Sequence, residues 1–552
     1  MEFRKLDTKK FEYFCSRAVL ITGILILGFL SLYGLFYTEE FESNHAKILT
    51  TVQTSVIGMV LWTALAAGIL FWAGKLILKN EQHRKRNVHI LLIFTCVYTA
   101  VLGFAWAVLS NHYPLWDERM VSFFANQFAN GVNDISAYDI DYIETWPHQI
   151  GMIALVEQIY RIFGEENYRA FQALNALAAS GIVFAGYKIT GEIGKREEPA
   201  VCFLLLMLFC WPMIIYVSFF YGEVLSVMLS LFSVYSLLIY LKKQKKRNMV
   251  YMALFITAAC LVRSSCYIVL AAMGCVLVVK AVSDRKIYHV LSLLLCVILF
   301  FLSHTMLIKV YEHRFGLELE KGMPSLVWVA MGTREGMDGA EAGWYNRDYS
   351  WGLFVEEADK DSEKAKELAV QVIRDSGSVF QEDPSYMKDF YKRKIVSQWN
   401  EPTYSSQVET NNRVEERAPV MDRLYKGDLW KPFVRFMDVY QSLIYVGALI
   451  FLLFLVRRKI PVEHLILLIV VIGGFIFYIF WEARSRYIFP YFMMMIPMAA
   501  IGWDMLTERL ASVWRRLPEK RKASGKESGH FPVEKLEPLA GKLILIGAGV
   551  PS

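Results

Sequence analysis

The sequence is short of charge. Only 20% of its 552 residues are charged while 55% are hydrophobic, and the mean hydropathy is +0.34, which excludes an ordinary soluble globular chain of this length. Cysteine is missing from the long loops. All 8 cysteines (Cys15, Cys96, Cys202, Cys210, Cys260, Cys266, Cys275, Cys296) lie in apolar segments, which excludes a disulfide framework or a CxxC metal site and leaves them as small apolar filler. No internal repeat and no low-complexity tract is present. A cleavable signal peptide is missing as well: the first apolar run, 14–37, is too long for an h-region and lacks a small-residue cleavage site, so a signal anchor is expected.

What the chain has in quantity is apolar runs of about twenty residues, the length of helix that crosses a bilayer core. Twelve spans are expected, at 14–37, 52–78, 89–110, 168–190, 199–219, 222–241, 249–264, 265–282, 287–308, 434–455, 461–480 and 487–506. The expected fold class is therefore an all-α polytopic membrane protein. Segment 149–163 (IGMIALVEQIYRIFG) is also apolar, and whether it spans sets the topology. Basic clusters resolve the question. KNEQHRKR (79–86), GKREE (194–198), KKQKKR (242–247), SDRK (283–286), VRRK (456–459) and WRRLPEKRK (514–522) all fall on one side only if 149–163 does not cross. The positive-inside rule makes that side cytoplasmic and puts both termini there. Segment 149–163 then reads as an amphipathic helix along the outer interface, with Glu157 and Arg161 on one face. Two outer regions follow, 111–168 and 309–433; the second is long enough for a small domain and carries a helix-like stretch at 363–376. The tail is polar and ends in LILIGAGVPS, too short to span.

Polar features then converge on the outer face. Asp117 and Glu118 follow the third span; His148 and Gln149 precede the interfacial helix; Arg169 opens the fourth span. Tyr221-Gly222-Glu223 and Arg263 sit at outer turns, and WEARSRY supplies Glu482, Arg484, Arg486 and Tyr487 before the last span. Singly, such residues are solvated loop acids or arginines reaching for headgroups. Together they have one side and one chemical logic, group transfer from a lipid phosphate: arginines fit phosphate oxygens and stabilise a departing phosphate, and a carboxylate takes the acceptor proton. Outer-loop aromatics (Trp146, Trp344, Tyr345, Trp351, Trp399, Tyr404) offer flat faces to sugar rings. The stretches GWYNRDYSWG and QWNEPTY look specific but carry no assignment.

An acidic pair directly after a span, an interfacial helix introduced by a proline-containing turn, and an arginine opening the next span resemble the layout of GT-C glycosyltransferases. The resemblance is nearest to glycosyltransferase family 39, the protein O-mannosyltransferase and aminoarabinose-transferase group. WEARSRYIFPYFMMMIP is similar to a late ExRxRYxxPxxP-like stretch of bacterial members, running from Glu482 through Pro490 to Pro497. The resemblance covers the chain after about residue 89. It implies a GT-C-type bundle of about twelve spans, with 1–88 as two extra N-terminal helices, 89–308 as the catalytic core, 309–433 as an outer loop domain, 434–506 as the closing helices and 507–552 as a cytoplasmic tail. It also implies an inverting transferase at the outer face of a bacterial plasma membrane, moving a sugar from a polyprenyl-phosphate donor to an extracytoplasmic acceptor. Asp117 or Glu118 would be its catalytic base. Arg169, Arg263, Arg484, Arg486 and Tyr487 would hold the donor phosphate, and His148, Glu223 and Glu482 would bind substrate. No cofactor is expected; Asp139 and Asp141 have the DxD spacing with which some GT-C enzymes hold a divalent metal, though the mannosyltransferase branch needs none. The bilayer is a partner and nucleic acid is not. A transporter or flippase would carry repeats and charges at mid-membrane, which are lacking here. A polysaccharide polymerase or ligase shares the outer-face arginines and differs in the lipid consumed.

Overall fold

A computed structural model describes residues 8–42, 45–132, 137–319, 322–411 and 416–523, with side chains to 512 apart from 45–47 and 137–140. Among these residues ten helices are long and apolar enough to cross a membrane: Thr8–Phe36, Val56–Leu78, Arg84–Ser110, Tyr168–Gly194, Glu223–Lys243, Ser264–Asp284, Ile287–Phe315, Trp430–Leu455, Val462–Phe480 and Ser485–Ser512. The protein is a helical, multi-pass membrane protein. Residues up to Met505, including segment 309–433, form one compact unit, and the chain from Leu506 is a second. The tail beyond residue 523, with its terminal LILIGAGVPS, lies outside the described residues.

Two of the twelve expected spans differ. Segment 249–264 is the helix Lys246–Val262, 17 residues long. Segment 199–219 is not continuous: Glu197–Met207 and Trp211–Tyr216 are separate helices, with Pro212 in the first turn of the second, and the chain then runs irregularly to Gly222. Backbone freed from a helix at membrane depth must find partners inside the protein. Here the neighbouring helix Tyr168–Gly194 supplies them: Gln172 Nε2 donates to Ser218 O at 2.8 Å, and Asn175 Nδ2 donates to Val217 O and Phe219 O at 3.3 and 2.9 Å. Apolarity alone reports depth and cannot report this break.

The all-helical expectation needs a second correction. Tyr37–Glu42 and His45–Gln53 pair as an antiparallel hairpin where a loop and the start of a span were expected. It buries Thr38, Glu39, Phe41 and Leu49, and its glutamates mask it in a hydropathy reading. Tertiary contacts hold it: Glu39 N donates to Asn400 O at 3.1 Å, and Phe41 meets Trp344 edge-on at 5.9 Å.

In a bilayer the helices gain little from apolar burial, so close backbone approach and polar contacts carry the packing. A Cβ on Gly502 would lie 1.9 Å from Gly447 O, so Trp430–Leu455 and the last helix touch at the backbone there. At one end of the bundle the basic segments meet acidic partners. Arg84 bonds Glu197 and Glu198 at 2.7 and 2.6 Å, Lys242 meets Glu192 at 2.6 Å, and Lys9 meets Asp284 at 3.1 Å. Lys280 lies 3.3 Å from Glu12 and 3.5 Å from Glu463, and His464 lies among Lys195, Glu192, Lys280 and Lys242.

Segment 149–163 is the helix Ile150–Phe163. Its Glu157 and Arg161 do pair, at 2.8 Å, but Glu157 is fully buried and also takes bonds from Arg314 (2.9 Å) and Tyr311. One acid thus clamps this helix to Ile287–Phe315. In segment 309–433 the expected helix at 363–376 extends over Ser362–Glu382, capped by Asp361; Asp383 caps the next, Pro384–Trp399.

Candidate active site

The irregular backbone at 217–222 organises the site. Glu118, in the first turn of the helix Asp117–Ala129, is 3% exposed, and its Oε1 accepts from the backbone N–H of Phe220 at 2.5 Å. His112 Nε2 lies 3.0 and 3.1 Å from its two oxygens, and Leu115 N donates at 3.5 Å. Glu118 is thereby committed to holding its own loop against the 217–222 segment.

Asp117 is placed differently. It is part-exposed, and its oxygens accept from Tyr142 Oη at 3.1 Å and Tyr221 Oη at 3.5 Å. Burial, and then the Asp117 carboxylate, push both phenols up, so they stay protonated as donors. Gln149 Nε2 donates to Tyr221 Oη, which makes the residue beside His148 part of the support. Gly222 lets the chain turn here: its φ is +84°, and a Cβ would lie 2.8 Å from Val262 Cγ1.

From Tyr221 a row of alternating charges runs across the site. The guanidinium carbons of Arg263 and Arg486 lie 4.6 and 5.2 Å from its ring centroid. Glu223 Oε1 is 3.2 Å from Arg263 Nη2 and 3.8 Å from Arg486 Nε; Glu409 then bridges Arg486 at 3.4 Å and Arg484 at 2.6 Å. These groups come from four separated chain segments. Polar capacity is left over, because both Glu223 oxygens, Glu482 Oε2, Arg484 Nε and Arg486 Nε are buried without a hydrogen-bond partner among the described residues.

Glu482 accepts from Tyr487 Oη at 2.8 Å. Burial pushes its carboxyl up to about 7, against the lowering pull of Tyr487, Arg486 and Arg484, while Asp117 raises it further. Lys394, fully buried, is pushed down to about 7 by burial, opposed by the Glu482 charge, and its Nζ donates to Gly332 O. Tyr345 faces the same centre, its phenol raised by burial and by Asp117 and Glu482. Its backbone is stitched to the WEARSRY turn: Tyr345 N donates to Ala483 O at 3.3 Å, and Ala483 N to Gly343 O at 2.7 Å. His148 is solvent-accessible although protein groups surround it closely. Burial, then the Arg263 charge, hold its imidazole down at about 4, hence neutral. It meets Trp328 edge-on at 6.0 Å, and Trp328 stacks on Trp481 at 5.5 Å.

The structure therefore brings Asp117, His148, Glu223, Arg263, Glu482, Arg484, Arg486 and Tyr487 into one region, with Glu118 behind it. Arg169 stands apart. Its guanidinium donates to Ala107 O (2.7 Å), Asn111 Oδ1 (2.7 Å) and Gln172 Oε1 (3.0 Å), which caps the helix Arg84–Ser110 and steadies Gln172. Asp141 pairs with Lys360, and the Asp139 side chain lies outside the described residues. Among the described residues no group of three or more His, Cys, Asp or Glu could hold a metal.

Sequence reasoning passed over Tyr142, Lys394 and Glu409 altogether. It singled out QWNEPTY, which becomes a buried turn: Glu401 accepts from Thr403 N at 2.8 Å and Ser405 N at 2.6 Å, and Ser405 Oγ meets Ser485 Oγ at 2.5 Å. This turn delivers Glu409 to the arginines, a role no local pattern could disclose. The chain matches no protein-family model and no curated protein.

Proposed function

We propose that the protein is an inverting glycosyltransferase that moves a sugar from a polyprenyl-phosphate donor to an acceptor hydroxyl at the outer face of a bacterial plasma membrane. The observation that carries this reading is the separation, by Tyr221, of a part-exposed carboxylate, Asp117, from a row of three arginines, two of which, Arg484 and Arg486, keep an unsatisfied donor. A base and an anion site a ring apart suit a displacement in which a hydroxyl enters on one side of a sugar carbon and a phosphate leaves on the other.

In that reaction the acceptor oxygen attacks the anomeric carbon and passes its proton to Asp117. The bond between that carbon and the phosphate oxygen breaks, and the lipid phosphate leaves with the electron pair. Charge grows on the phosphate as it departs, and Arg263, Arg484 and Arg486 are preorganised to stabilise it. Tyr142 and Tyr221 orient the base, and neutral His148 and Glu482 offer hydrogen bonds to sugar or acceptor. Asp117 rather than Glu118 is the base, because Glu118 is already held by backbone N–H groups and His112. Arg169 acts at one remove through Gln172. The gathering of basic segments at the opposite end of the bundle supports an outer-face site under the positive-inside rule.

The test uses the purified protein in lipid nanodiscs with a panel of polyprenyl-phosphate monosaccharides and candidate acceptor hydroxyls, with and without chelator. Release of free polyprenyl phosphate from one donor, lost in Asp117→Asn, is the expected result. Unaltered turnover in Asp117→Asn overturns the assignment of the base, and absence of phosphate release from every donor–acceptor pair overturns the reaction.

A further inference from the structure

A carboxylate that spreads its two oxygens over two guanidiniums has the shape and charge of a bound phosphate. Glu409 does this: Oε1 lies 2.6 Å from Arg484 Nη2, and Oε2 lies 3.4 Å from Arg486 Nη1. The three groups are mostly buried, with side-chain exposures of 11% for Glu409, 21% for Arg484 and 8% for Arg486. The pairing is incomplete, since among the described residues Arg484 Nε, Arg486 Nε and Glu409 Oε1 are buried without well-formed hydrogen bonds. A purely structural ion pair would be expected to satisfy those atoms. Glu223 is no substitute on Arg486, because it is 3.8 Å away and shared with Arg263 at 3.2 Å.

We propose that Glu409 is a built-in place-holder for the phosphate, occupying the Arg484–Arg486 seat while the site is empty and giving it up when a phosphate group binds. The proposal rests on the phosphate-site reading above and specifies how that site is regulated. Without a ligand, two adjacent buried guanidiniums would repel each other and lack a counter-charge, and Glu409 supplies one. A lipid-linked sugar phosphate is a diester with one negative charge, so exchanging Glu409 for it leaves the local charge nearly unchanged. After transfer the lipid phosphate is a monoester that binds more tightly, and a carboxylate competing for the same seat speeds its departure. Glu409 ends the short helix Ser406–Glu409, so a change of its side-chain rotamer alone can vacate the seat.

The experiment measures binding of a short-chain prenyl phosphate, and in parallel of inorganic phosphate, to the full-length protein in nanodiscs. Glu409→Gln keeps the shape and removes the competing charge. It is expected to tighten prenyl-phosphate binding roughly tenfold, the size of one charge-assisted contact, and the gain should vanish when Arg484→Ala is added. In turnover the same variant should lower both KM and kcat, through slower product release, whereas a merely structural role would raise KM. Should Glu409→Gln fail to fold, carbodiimide labelling of Glu409 in the wild-type protein replaces it, with labelling expected to rise when prenyl phosphate is added. Equal or weaker phosphate binding in folded Glu409→Gln, or labelling that does not rise, overturns the proposal. Tightening for inorganic phosphate alone keeps the place-holder and makes its ligand soluble rather than lipid-linked. Tightening without sugar transfer from any donor keeps the place-holder and removes the glycosyltransferase reading.

Discussion

Adjacent carboxylates Asp117 and Glu118 should respond in opposite ways to loss of charge. Asp117→Asn keeps an oxygen to accept from Tyr142 or Tyr221 at a part-exposed position, so stability should change by less than about 1 kcal/mol, as for most such sites. Its rate should fall by about two to four orders of magnitude, the usual contribution of a positioned base. Glu118→Gln is the reverse case. The carboxylate accepts from Phe220 N at 2.5 Å and lies 3.0 Å from His112 Nε2, and an amide can present an oxygen to only part of that set. Hydrogen bonds to a charged acceptor contribute roughly 1.5–3 kcal/mol each, so about 2–4 kcal/mol of stability should go. The 217–222 segment that carries Tyr221 would loosen with it. Thermal unfolding in nanodiscs reads the first quantity and polyprenyl-phosphate release the second. A Glu118→Gln protein of wild-type stability and no activity, beside an active Asp117→Asn, would refute the assignment of roles.

Other consequences are equally concrete. Glu482 sits at about 7 against an ordinary 4.5, so the folded protein holds its proton more tightly than the unfolded chain does. Its contribution to stability therefore declines as pH rises from 4.5 to about 7 and is flat outside that window; unfolding of Glu482→Gln followed against pH should lack that decline, and identical profiles would contradict it. Gly222→Ala forces a side chain into φ +84° and to within 2.8 Å of Val262 Cγ1, so a loss of about 1–3 kcal/mol and a large drop in turnover are expected from unfolding and rate measurements. Arg169→Ala should reduce stability while leaving the donor KM within a few-fold, whereas Arg486→Ala should raise that KM at least roughly tenfold, a contrast that steady-state kinetics with matched unfolding curves can read.

Much of the site was legible as sidedness. Once 149–163 was taken not to cross, hydropathy and basic clusters placed Asp117, His148, Glu223, Arg263 and the WEARSRY charges at one face. In the structure these residues lie near one another. Arg169 does not join them: its hydrogen bonds go to the end of the helix Arg84–Ser110. Level along the membrane is a property of the chain, but the direction of a side chain is set by what packs beside it.

The sequence by itself determined the membrane-spanning character, most helix positions and the residues offered at each end, because transfer into lipid depends on local composition and length. Only the tertiary structure decided that 199–219 breaks and that Glu118 is an anchor beside an available Asp117. It alone showed that Glu409, carried just after a buried turn of segment 309–433, seats itself on Arg484 and Arg486. Each of those outcomes depends on hydrogen bonds and charge pairs between residues far apart in the chain, and no local pattern records which distant partner will satisfy a buried polar group.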